Sequence, residues 1–249
     1  MKKSGAVWGA VLGVLLAQGA AAAEVAVLSG GAIEPGLRAA ASAFQKQTGD
    51  TVKITFNTTP QIRKRIDSGE KFDVVIAPPA AMDAFAKAGK VGEERVGVGR
   101  VGMGVAVRPG APVPDISNTE ALRRSLLGAE TLVFNRASSG LYFEGLLKKM
   151  GVYEQIESKT TRYADAGSVM EHVLKGKGKE IGFGPITEIL MHKEKGLRLV
   201  GPLPAEVQNY TSYAAAVATS APNGELARSL LRYLGSASGR ALFAAAGVE

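Results

Sequence analysis

Along residues 24–249, short apolar runs trade places with stretches whose apolar positions recur every three to four residues. That is the pattern of strands alternating with helices. Val25–Leu28 is a continuous apolar run that stops at Ser29-Gly30-Gly31 and predicts a buried strand. From Glu34 to Gln47 the residues Leu37, Ala40, Ala41 and Phe44 share one stripe, and Pro35 sits in the first turn, where no N–H is needed. A helix is predicted there. Val52–Phe56 alternates as a strand, and Asn57-Thr58-Thr59-Pro60 offers capping groups for a helix through Ile62 and Ile66 that ends near Gly69. Phe72–Ala77 reads as the next strand, stopped by Pro78 and Pro79, and Ala81–Ala88 as a short helix closed at Gly89. Repetition of this kind predicts an open sheet with helices on both faces.

Gly102–Val107 predicts a further strand, after which Pro109, Pro112 and Pro114 break all regular pattern. A second set follows: helix Thr119–Leu127, strand Thr131–Phe134, helix Gly140–Met150, helix Ser168–Leu174, strand Ile181–Phe183, helix Ile186–His192 and strand Leu197–Val200. Tyr213–Ala218 returns as a strand, and helices over Gly224–Leu234 and Ser238–Ala246 close the chain. Each set holds on the order of 100 residues, a common domain size. The expected fold is therefore α/β and two-lobed, each lobe an open mixed sheet flanked by helices, with a cleft between them. The expected boundaries are 24–107 plus 213–249 for one lobe and 108–212 for the other, so the chain crosses twice. One continuous sheet with the proline segment as a surface loop is the alternative.

The N-terminus adds a compartment. Lys2 and Lys3, the apolar run Ala6–Leu16 and the small residues Ala20–Ala23 form a secretory signal pattern too short to span a bilayer. Residues 1–23 are expected to be removed and the mature chain to work in the periplasm. Loss of two lysines lowers the formal charge from +7 to +5. The excess is scattered, and its densest cluster, Lys175, Lys177 and Lys179, has no aromatic to stack on a base, so no nucleic-acid partner is expected. The chain has no cysteine, which excludes disulfides and thiolate metal sites. The only histidines, His172 and His192, sit in charged helical patterns, and no metal motif or full glycine fingerprint occurs. No metal or cofactor is called for.

In open sheets, ligands sit where strand gives way to helix. Four such junctions carry unusual residues: Ser29-Gly30-Gly31 with Ala32, Thr58-Thr59, Ser138-Ser139-Gly140 behind Arg136, and Gly182–Thr187 with Gly184 and Thr187. Helix-start amides lack internal partners and lie at the positive end of the peptide dipoles, so together with hydroxyls they suit an anion. Any one junction is explained by ordinary capping; four on one edge favour a shared ligand. Arg136 and Arg162 could add a bidentate fork for a carboxylate, whereas Arg63 lies one turn into a helix, and Tyr142 and Tyr163 could wall the cleft. Catalytic patterns are poor. There is no nucleophile elbow, and of the carboxylates near element ends (Asp73, Glu144, Asp165, Glu188) none can be named as a base. Binding rather than turnover is expected.

These same junctions resemble the molybdate-binding family of periplasmic solute receptors. The resemblance runs through Ser29–Ile33, Leu37–Phe44, Asn57–Ile62, Gly69–Ala77, Ser138–Tyr142 and Ile181–Gly184, across the mature chain. It implies two α/β lobes joined by two strands, a monomer that closes on a small anionic ligand and hands it to an inner-membrane ABC permease. In that family a serine after the first strand contacts the oxyanion, where this chain has Ala32. The family tyrosine near the fourth junction is matched only by Phe183, Gly184 and Pro185. A donor is lost and an arginine gained, which tilts the expected ligand from molybdate toward an organic di- or tricarboxylate. A similar group on this fold comprises periplasmic isomerases of unsaturated tricarboxylates. It supplies the alternative function, and would need an acid/base residue beside the anion clamp.

Overall fold

The computed structural model describes residues 22–249. The predicted presequence falls almost wholly in residues 1–21, outside the described residues. In the first lobe β1 (Glu24–Gly30) pairs in parallel with β2 (Thr51–Asn57) and β3 (Val74–Ala77). The crossovers are α1 (Glu34–Thr48), entered through a 3-10 turn over Gly31–Ile33, and α2 (Thr59–Asp67), while α3 (Pro79–Lys87) follows β3. The 12-residue β4 (Val96–Val107) runs beside β9 (Tyr210–Val217), which lies antiparallel to both β4 and β3. The lobe thus reads β2-β1-β3-β9-β4, parallel on one side and antiparallel on the other.

The second lobe is built on the other half of β4, which pairs antiparallel with β7 (Glu180–Pro185) and β8 (Arg198–Pro202). Next to β7 come β5 (Thr131–Asn135) and β6 (Thr160–Tyr163), all parallel. Helices α4 (Thr119–Gly128), α5 (Ser138–Lys149), α6 (Tyr153–Ile156), α7 (Ala166–Lys175) and α8 (Ile186–Met191) surround this sheet. Finally α9 (Gly224–Gly235) and α10 (Ala237–Ala245) return to the first lobe.

Apolar side chains fill both faces of each sheet. In the first lobe Leu37, Phe44, Leu230 and Phe243 cover one face, and Ile62, Phe72, Met82 and Phe85 the other. In the second, Phe143 stacks on Phe183 at 4.1 Å between ring centres and meets Phe134 edge-on, while Val133, Val169 and Met170 close the opposite face. Asp73 is structural: its carboxylate accepts from Ala26 N at 2.8 Å and Asn223 N at 2.7 Å, tying β1 to the lead-in of α9.

Two strands, β4 and β6, depart furthest from the sequence reading. β4 begins at Val96 rather than Gly102, because Gly97, Gly99 and Arg100 dilute its apolar pattern around a bulge. Thr160–Tyr163, to which the sequence pattern assigns no element, is an edge strand, half-buried throughout and so without an apolar run. The exchange of partners falls inside β4: Gly102 faces Tyr210 of β9, and Met103 faces Pro185 of β7. The proline segment lies beyond that exchange, as an irregular connection from β4 to α4 in the second lobe. At the crossing, the Gln208 side chain accepts from Met103 N at 3.0 Å and donates to Met103 O at 2.9 Å, holding the strand where its neighbours change. The lobes also meet at α8, where the buried Thr187 hydroxyl donates to Ala32 O at 2.5 Å.

Candidate ligand-binding cleft

Strands that end on one edge of their sheets deliver five helix starts to the space between the lobes, a cleft of about 340 Å³. From the first lobe come Gly30, Gly31 and Ala32 after β1 and Asn57, Thr58 and Thr59 after β2. From the second come Ala137, Ser138 and Ser139 after β5, Asp165, Ala166 and Gly167 after β6, and Pro185 and Glu188 after β7. Gly102 and Met103, where the chain changes lobes, form part of the lining with Thr211 and Tyr213 of β9.

The α5 junction shows how side chains prepare such a wall. Asn135, 1% exposed, accepts with its Oδ1 from Ala137 N (2.9 Å) and Gly140 N (3.1 Å) and donates from Nδ2 to Ser139 Oγ (3.0 Å). This claims the N-cap and third-turn-position amides and leaves those of Ser138 and Ser139 at the cleft. Gly140 is required because a Cβ there would fall 1.8 Å from Asn135 O. In the same way Asp165 Oδ1 takes Ser168 N at 2.8 Å and leaves Ala166 and Gly167 facing the cleft, while Gln61 Oε1 takes Thr58 N at 2.8 Å.

Seven of the residues chosen from sequence therefore line the cleft: Gly30, Gly31, Ala32, Thr58, Thr59, Ser138 and Ser139. Six lie elsewhere. The Ser29 side chain is buried, its hydroxyl donating to Gly30 O at 3.1 Å, because β1 alternates its faces and turns Ser29 into the sheet. Arg136 is exposed outside the lining. Gly140 is packed on Asn135, and Gly184 lies under Met170 and Ala166. Arg162 sits behind α5, paired with Glu144, donating to Asn135 O at 3.2 Å and stacked over Phe134. Thr187 is spent on the contact between lobes. Neither Tyr142 nor Tyr163 is in the lining: their hydroxyls meet Val207 O and His172 Nδ1, each at 2.9 Å. Arg63 and Lys64 stand outside the cleft with Leu141, around Thr59 and Ser138.

No arginine or lysine lines the cleft, but three carboxylates do. Glu34 is paired with Arg38 at 2.7 Å, and Asp165 caps α7. Glu188 has neither hydrogen-bond nor ion-pair partner among the described residues, and its Oε1 lies 3.4 Å from where a Cβ on Gly31 would stand. Burial, reinforced by Asp165 and Glu34, pushes its carboxyl up to about 7, although an edge of the side chain still opens on the cleft. Tyr213, 8% exposed, lies with its ring over Gly30, where a Cβ would come within 2.7 Å of Cε1. Its phenol is pushed up from the ordinary range by burial and then by Glu188.

Residues 25–249 match the family described as bacterial extracellular solute-binding proteins. The chain belongs to that family. A curated relative, an aconitate isomerase from a Pseudomonas species, is 32% identical over 216 residues, 84% of this chain and 81% of the relative. Among solved structures, the Azotobacter vinelandii periplasmic molybdate-binding protein superposes with a TM-score of 0.76 at 16% identity, covering 90% of this chain and 98% of its own. The sulfate-binding protein SubI from Mycobacterium tuberculosis gives 0.75 at 16%, covering 91% and 86%. At that identity the likeness is one of fold.

Against this extracellular solute-binding fold, the sequence reading named Asp165 and Glu188 only as carboxylates near element ends and Asn57 only as a capping group, without placing them at the cleft, and it missed Asn135 and Tyr213. Asp165 belongs to a fifth junction, hidden because β6 was not recognised. Glu188 stands one residue past the Gly182–Thr187 motif, where it reads as an ordinary acidic residue in a helix's first turn. Tyr213 comes from a strand distant in sequence, and no local pattern points to it.

Proposed function

We propose that the cleft binds a small unsaturated polycarboxylate and shifts its double bond by moving a proton through Glu188, an isomerisation of the aconitate type. The observation that carries this reading is Glu188 itself: a carboxyl without a partner, open to the cleft and titrating near neutrality. A receptor that only holds an anion gains nothing from an unpaired acid there; a general base gains a pKa matched to the working pH. The likeness to an aconitate isomerase, 32% identical, supports the same chemistry.

Substrate carboxylates would be met by helix-start amides and hydroxyls of both lobes, at Thr59, Ser138-Ser139 and Ala166-Gly167, while Gln61 holds both donors of Thr58. Ionised Glu188 takes a proton from the allylic carbon, the C–H bond breaks, and its electron pair spreads over the double bond and the adjacent carboxylate as a dienolate. Glu188 then returns the proton to the far carbon, and the double bond has moved with no net change in atoms or charge. Neither oxidant nor metal enters the balance.

The test is NMR of the purified protein with cis- or trans-aconitate in D2O. Interconversion and deuterium uptake at the allylic carbon are expected, and Glu188→Gln should lose both by at least about 100-fold while still binding. Tight binding with no turnover would favour the second reading: a periplasmic anion receptor for an ABC importer, which the family and the shared fold support.

A further inference from the structure

Resting on the isomerase reading, we infer that Tyr213 is its second catalytic residue: its O–H holds the substrate carboxylate on which the dienolate charge develops. The placement comes from consecutive glycines. The Tyr213 ring lies against Gly30 and a Glu188 carboxyl oxygen against Gly31, so both groups reach the same turn of backbone at the cleft, near enough for the carboxylate to act on the phenol. Tyr213 belongs to β9 of the first lobe and Glu188 to α8 of the second, and the Thr187–Ala32 hydrogen bond pins α8 to the turn that carries both glycines.

The Tyr213 hydroxyl, like the Glu188 carboxyl, has no hydrogen-bond partner among the described residues, although Tyr142 and Tyr163 each have one. A buried tyrosine ordinarily satisfies its hydroxyl. The Tyr213 hydroxyl is not sealed in the interior, where the side-chain atoms without a partner among the described residues are Asn57 Oδ1 and Arg162 Nε, so at the cleft wall it is a donor open to a ligand. Burial and the neighbouring carboxylate both disfavour the phenolate, so Tyr213 stays an O–H donor throughout the range in which Glu188 ionises. That makes it a poor base and a good partner for a developing oxyanion.

No covalent step is added. Glu188 breaks and remakes the C–H bonds; Tyr213 keeps its proton and shortens its hydrogen bond as charge reaches the carboxylate oxygen.

The experiment pairs Tyr213→Phe with the wild type, following isomerisation and C–H/D exchange of aconitate in D2O. Charge stabilisation predicts that kcat and exchange fall together by about 100-fold or more, with KM changed less than threefold and the melting temperature kept. Replacement of Tyr213 by fluorotyrosine, whose phenol is more acidic in an unchanged shape, should keep or raise kcat, and it serves where the Phe variant fails to fold. Wild-type kcat in Tyr213→Phe, or exchange that survives while isomerisation is lost, overturns the assignment and leaves Glu188 standing. A wild-type protein with neither exchange nor isomerisation sinks the isomerase reading and Tyr213's role with it.

Discussion

Glu188 shows how much one side chain's meaning depends on what surrounds it. On the first turn of a helix an acid is ordinarily favoured and its pKa lowered. Here desolvation wins, and the like charges of Asp165 and Glu34 add to it. The groups facing it are those two carboxylates and the Tyr213 phenol; His192, just past the end of α8, touches Glu188 at its backbone carbonyl and turns its other ring nitrogen to Glu171. Because the base form is the carboxylate, kcat/KM should rise with pH and level off above about 7. A profile flat from pH 5 to 9 would count against this role. Stability runs the other way. Below 4.5 both folded and unfolded chains hold the proton; between 4.5 and about 7 only the folded chain does. Wild-type stability should therefore drop relative to Glu188→Gln across that window, by on the order of 2–3 kcal/mol, and stay lower above it. Melting temperatures of both proteins at pH 4.5 and 8 check the sign.

At the scale of elements, three strand-to-helix junctions spend a side chain (Gln61, Asn135 or Asp165) on some of their amides and leave others facing the cleft. Asn135 is the clearest case, with three hydrogen bonds inside one turn. Asn135→Ala should strand two buried amides and destabilise the fold by about 2–4 kcal/mol in urea titrations. Asn135→Asp keeps the acceptor and should cost less. This device was half-legible. Ser138-Ser139-Gly140 stands out in the sequence, whereas Asn135 closes an apolar run and looks like a strand end. Arg136 and Arg162 were plausible clamps because arginine forks suit carboxylates. Their positions depend on strand direction: β5 leaves Arg136 outside the cleft, and β6 turns Arg162 behind α5, onto Glu144 and Phe134.

For the whole molecule, the two lobes share a continuous strand, β4, and a buried hydrogen bond between Thr187 and Ala32. Thr187→Val keeps the shape and removes that bond, leaving a buried carbonyl unsatisfied; a loss of about 1–3 kcal/mol is expected in thermal or urea melts, with Thr187→Ser recovering most of it. If Thr187 also sets where Glu188 stands, the valine variant should lose kcat more than it gains KM. The sequence by itself determined the alternation of strands and helices, the α/β class and the small-residue turns at strand ends. All of these are written in local periodicity and turn chemistry, which span a few neighbouring residues. Only the tertiary structure decided which turns share a cleft, and that Tyr213 comes to lie against Gly30 and Glu188 against Gly31. Contacts between residues far apart in the chain leave no periodic mark, and a carboxyl's pKa is set by its neighbours in space.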